Sequence, residues 1–98
     1  MPALLIRHRV IDYATWKPVF DENGDTRRAH GCQHARLFRD ALDPHQVLIL
    51  LEWDTLERAC LFAQSDDLRE AMASAELTDE PDLWVLEETD RLSHRATG

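Results

Sequence analysis

The stretch LEWDTLERACLFAQSDDLREAM, residues 51–72, leaves the end of an apolar strand and enters two short runs of helical pattern. Leu56, Ala59, Cys60 and Ala63 fall at i, i+3, i+4 and i+7, one apolar stripe on a helix. Asp54 with Glu57 three residues on has the form of a capping box. Ser65 then opens a second helix, with Asp66 and Asp67 at the end where the helix dipole favours acids. Leu68, Ala71, Met72 and Ala75 repeat the stripe. The stretch therefore predicts helix, break, helix, with one face of each turned to a core.

The chain on either side supplies the sheet. VLILLEW (47–53) is the most apolar segment, which predicts a central strand covered on both faces. CQHARLFR (32–39) reads as a strand, and the polar DALDPHQ (40–46) joins the two as a hairpin. At the N-terminal end ALLIRHRV (3–10) is another strand. Asp12 and Thr15 are alternative caps; with Pro18 assigned to a first turn, the regular helix is expected from Thr15. Trp16, Val19 and Phe20 form its apolar stripe, Asn23-Gly24 weakens it, and DTRRAHG (25–31) resumes it up to a C′ glycine, Gly31. LTDEPD (77–82) is a loop, LWVLEE (83–88) a last strand, and residues 90–98 a flexible tail after a domain of residues 1–89.

The order β-α-β-β-α-β is the α+β, ferredoxin-like pattern: a four-stranded antiparallel sheet with two helical regions on one face. The first, third and fourth strands are apolar at both parities. The face away from the helices must then pack on something, and a second copy of the sheet is the expected partner, giving a homodimer.

Bulk properties narrow the function classes. A chain of 98 residues makes one domain, and a net charge of −8 argues against nucleic acid and against anionic membrane surfaces. No signal-peptide pattern and no membrane-length apolar run is expected, and Cys32 and Cys60 suit reduced, buried thiols in a cytoplasmic protein. His8, His30, His34, His45 and His94 show no ligand-pair spacing, so no metal is expected. Phosphate loops and nucleophile elbows are absent as well.

HRVIDYATWKPVFD (8–21), ARLFRDALDP (35–44) and LLEWDTLERACLFAQSDDLREAM (50–72) together resemble the antibiotic biosynthesis monooxygenase-like group of dimeric α/β barrels. The resemblance spans about Leu4 to Glu88 and is specific for fold rather than activity. It implies a dimeric barrel with a pocket between sheet and helices or inside the barrel. The superfamily includes cofactor-independent quinone-forming monooxygenases, heme-degrading monooxygenases and polyketide cyclases. The heme-degrading branch uses an Asn on the first strand and a Trp and an iron-ligating His on the second helical region. Those positions look like His8, Phe62 and Met72 here, and all three changes argue against heme degradation.

The candidate site follows. His8 is the candidate catalytic base, since an imidazole takes and returns protons near neutral pH. The resemblance turns it toward the cavity; strand parity alone leaves its face open, because Arg7 and Arg9 are equally polar. His34 and Arg36, expected to share a face with Cys32 and Phe38, are candidates for holding a phenolate or enolate. Trp16, Phe62, Met72 and Trp84 are candidate pocket walls, with core or interface packing as the alternative. Glu52 is expected to pair with Arg36 or Arg7. The expected function is oxygenation or cyclisation of an aromatic, polyketide-like molecule without cofactor; the alternative is a non-catalytic module that binds a hydrophobic ligand or serves as a structural dimer.

Overall fold

In a computed structural model, residues 1–74 and 80–94 are described. Four strands, β1 (Ala3–Arg9), β2 (Cys32–Arg39), β3 (Gln46–Trp53) and β4 (Asp82–Leu86), form one antiparallel sheet in the order β2-β3-β1-β4. The helices are α1 (Tyr13–Glu22) and α2 (Gly24–Ala29) between β1 and β2, and α3 (Leu56–Ala63) and α4 (Asp66–Ser74) before β4. This is the ferredoxin-like arrangement, with each expected helical region divided in two.

β3 alternates strictly, and β1 does so from Leu4 onward, with Ala3 buried as well. Leu4, Ile6, His8 and Val10 of the first segment, and Val47, Ile49, Leu51 and Trp53 of β3, are buried under the helices. Trp16, Ala59, Phe62 and Leu68 close that core from above. Burying a side chain of this size contributes roughly 1.5–3 kcal/mol, so the helix-side layer carries most of the stability.

The opposite face is open. Leu5 pairs with Leu50 and Trp84 across the ladder, and Arg36 and Phe38 pair with Leu50 and Leu48. Phe38 and Trp84 are 48% and 45% exposed, and Leu86 is exposed beside them. β3 is internal, as its composition predicts, but in a single chain it is fully covered on one face only.

Local differences from the sequence expectations have local causes. α1 begins at Tyr13 with Asp12 as its N-cap, and the Thr15 hydroxyl donates to the Asp12 carboxylate at 2.9 Å. Pro18 thus lies in the second turn, not the first. Ala14 and Pro18 are both exposed, so the carbonyl that Pro18 leaves without an amide partner is within reach of solvent. Thr55, not Asp54, caps α3: its hydroxyl accepts from the Arg58 amide at 3.2 Å, while Asp54 sits 3.5 Å from the Arg58 guanidinium. Ser65 caps α4 as expected, accepting from the Leu68 amide at 3.2 Å.

The α3 stripe is rotated from the expected one. Ala59 and Phe62 are its buried residues, Leu56 is exposed, and Cys60 is half-buried rather than buried. Phe62 wins the core because its ring stacks on Trp53 at 4.9 Å. β4 stops at Leu86, short of Glu88, because its partner β1 starts at Ala3, the residue opposite Leu86. Glu88 instead meets the N-terminal ammonium and Arg91. Ala75, residues 77–79 of the 77–82 loop and residues 95–98 lie outside the described residues. Among the described residues no helix is long and apolar enough to cross a membrane.

Among the described residues, Gly31 is the position that needs its glycine. Its φ is +107°, and a Cβ there would stand 2.6 Å from Arg58 Cδ and 2.8 Å from Asp54 Oδ1. It ends α2 and turns the chain into β2.

Candidate functional site

Between the sheet and the helices lies a cavity of about 50 Å³. Ile6, His8, Ile49 and Leu51 form its floor, and Trp16, Phe20, Phe62, Leu68 and Met72 its apolar walls. Asn23, Thr26 and Arg27, at the α1–α2 junction, and Asp67, at the start of α4, supply the polar rim.

His8 is the polar group on the floor, where the period of two in β1 puts it in line with Leu4 and Ile6. It is only 4% exposed, and its Nδ1 has no hydrogen-bond partner among the described residues. Burial, reinforced by the neighbouring Arg7 charge, lowers its pKa from 6.5 to about 4. The ring is therefore neutral at physiological pH. Trp16 meets it edge-on at 6.1 Å between centroids, in a ladder that continues from Trp16 to Phe20 at 5.3 Å.

The rim ties the two helical layers together. His30 Nε2 and Asp67 Oδ2 are 2.8 Å apart, joining the end of α2 to the start of α4, and the His30 ring rests against Phe62 at 5.1 Å. The Arg27 guanidinium lies 3.7 Å over the Phe20 ring and donates through Nη1 to the Phe20 carbonyl at 2.9 Å.

The candidate residues divide between the two faces of the sheet. His8, Trp16, Phe62 and Met72 come together around the cavity. His34, Arg36 and Trp84 do not: they lie on the open face, with the sheet between them and His8. A β-bulge between Cys32 and His34 breaks the parity of β2, so Cys32 faces the core beside Trp53 while His34 pairs with Glu52 on the far side. Arg36 stands 3.8 Å from Glu52, and Arg7 pairs with Asp82 at 2.7 Å. The arginine that lines the cavity is thus Arg27, not Arg36. Arg27 was missed because it belongs to a short helix with no buried residues; its spacing of seven from Phe20 is the one signal pointing to a shared face.

His8, Phe62 and Met72, the three changed positions of the heme-degrading pattern, are neighbours around this cavity. A thioether stands where that pattern has its iron-ligating imidazole, so the residues present do not reproduce the heme-degrading set. Among the described residues no group of three His, Cys, Asp or Glu could hold a metal ion.

A ferredoxin-like sheet carrying an aromatic-walled cavity under its helices defines a class of small α+β proteins. Within that class, residues 14–74 match the antibiotic biosynthesis monooxygenase family, and the chain belongs to it. No curated protein matches the chain. A solved structure of a protein from Deinococcus radiodurans ascribed to the same family has a TM-score of 0.76 at 16% identity, covering 98% of this chain and 100% of that one. One from Bordetella bronchiseptica has a TM-score of 0.74 at 18% identity, with 90% and 96% covered. The monooxygenase of the gene ActVA-Orf6 of Streptomyces coelicolor, in complex with Nanaomycin D, has a TM-score of 0.69 at 16% identity, with 96% and 92% covered. At these identities the likeness is one of fold.

Proposed function

We propose that the chain oxygenates or cyclises an aromatic, polyketide-like small molecule in the helix-side cavity, with His8 as the proton acceptor. The observation that carries this reading is the buried, neutral imidazole whose Nδ1 has no partner, set in a wall of aromatic and apolar side chains. Family membership and the Nanaomycin D complex of the Streptomyces coelicolor protein support the substrate class.

An activated ring methylene or phenol gives its proton to His8. The imidazolium so formed is stabilised by the carbanion or phenolate beside it, which offsets the low pKa of the empty site. The carbanion reduces oxygen and is captured as a peroxide, and loss of water completes the change of CH₂ + O₂ to C=O + H₂O. The substrate supplies every electron, so the stoichiometry requires no external reductant. Cyclisation uses the same first proton transfer.

The cavity is smaller than typical ligand pockets of about 300–1,000 Å³, so binding moves part of its wall. The short helix α2, which buries no side chain, is the element that yields most readily. A second copy of the chain covers the open sheet face, where Leu48 and Leu50 are half-buried and Phe38 and Trp84 exposed.

A ligand-binding module without catalysis is the second reading, favoured by the small cavity. Oxygen uptake and quinone absorbance with a hydroxylated anthrone, corrected for spontaneous oxidation, separate the two. Wild-type turnover that His8→Ala abolishes is expected. Binding without turnover in the wild type selects the module, and full turnover in His8→Ala removes His8 from the reaction.

A further inference from the structure

We infer that the cavity selects ligands bearing a negative group, a carboxylate or phenolate on the aromatic framework, which Arg27 receives at the α1–α2 rim. This rests on the reading of the cavity as a small-molecule site and names what that site prefers. Three observations carry it. First, Arg27 lines the cavity together with Asn23 and Thr26, so the cation stands in a polar corner of a chamber with mostly apolar walls, which His8 and Asp67 also line.

Second, Arg27 has donors to spare. A guanidinium has five N–H groups. Among the described residues the hydrogen bond from Arg27 is the one to the Phe20 carbonyl, and no carboxylate lies within ion-pair distance. The other arginine of α2, Arg28, is paired with Asp25 in the same turn. The Arg27 guanidinium carbon lies 3.7 Å from the Phe20 ring centroid, within cation–π range.

Third, the site works against the charge of the whole chain. A net charge of −8 repels anions at long range, so an anionic ligand needs a local cation out of bulk water. Arg27 is partly buried, and that burial lowers its pKa against the opposing pull of Asp21. The rim carboxylate, Asp67, is held by His30 and is half exposed, so solvent screens it more than it screens Arg27. A planar anion in contact with a partly buried guanidinium forms charge-assisted hydrogen bonds, each worth on the order of a ten- to hundred-fold gain in affinity.

The test is isothermal titration calorimetry with two probes of one ring size, 1-hydroxy-2-naphthoate and 1-naphthol. The wild type is expected to bind the naphthoate at least about ten-fold more tightly. Arg27→Met is expected to remove that preference while keeping its affinity for naphthol, which also reports that the variant is folded; Arg27→Lys is expected to keep part of it. A two-dimensional NMR spectrum of the wild type adds a readout that needs no variant: the Arg27 Nε–H resonance is expected to move with naphthoate and not with naphthol. Equal binding of the two probes, or a preference that survives Arg27→Met, overturns this inference and leaves the cavity reading standing. Failure of both probes to bind overturns the cavity reading and this inference together.

Discussion

Lowering the pH should weaken this fold through one residue, His8. Its pKa is about 4 in the folded protein and 6.5 when solvent-exposed. Between those values the unfolded chain binds a proton at this site and the folded chain does not, so stability rises with pH across that window and falls as pH drops. Above pH 6.5 the imidazole is neutral in both states and the full stability is present. At about 1.4 kcal/mol per pH unit, His8 removes about 2 kcal/mol by pH 5 and about 3 kcal/mol by pH 4, where the loss levels off. The assay is urea unfolding followed by the fluorescence of the buried Trp16 and Trp53, from about pH 7.5 to about pH 4, on wild type and His8→Leu. The carboxylates titrate alike in both proteins, so the difference between the curves isolates the imidazole. With m near 1 kcal/mol per molar urea, the wild-type midpoint should fall about 3 M further than that of the variant. Parallel curves would refute the assignment of a buried, neutral His8, and with it the state required of the proton acceptor.

Removing Trp53, which is fully buried and stacked on Phe62, should cost about 3–5 kcal/mol in Trp53→Ala, measured by chemical denaturation. Gly31→Ala should lose roughly 1–3 kcal/mol by the same assay, because the left-handed backbone and the close Arg58 and Asp54 atoms both oppose a Cβ. Thr55→Ala should cost about 1 kcal/mol through the lost cap of α3. Leu50→Glu, on the open face of β3, should convert a dimer to a folded monomer in native mass spectrometry; a dimer that persists would place the interface elsewhere.

The cavity and the open face make different demands on the sequence. Around the cavity, Ile6, Trp16, Ile49 and Leu68 obey the simple periods of strand and helix and are legible from spacing. Phe62 is less so, because Leu56, Cys60 and Ala63 offered a competing stripe and only the Trp53 ring decided between them. Arg27 was illegible as a cavity residue: its helix is short and polar, and its place beside Phe20 depends on the angle at which α2 leaves α1. His34 and Arg36 were legible as polar strand residues but not as residues of the far face, since a bulge shifts parity without a mark in composition.

By itself, then, the sequence determined the number and order of the strands and helical regions, the antiparallel hairpin, the stop at Gly31 and the apolar surplus of the sheet, because these follow from local propensity and periodicity. Only the tertiary structure decided that His8 points under the helices, that Arg36 and Trp84 do not share its chamber, and that Arg27 does. The physical reason is that a strand presents alternate residues to opposite faces, and a chain with polar groups at both parities can be told apart only once helices cover one of them.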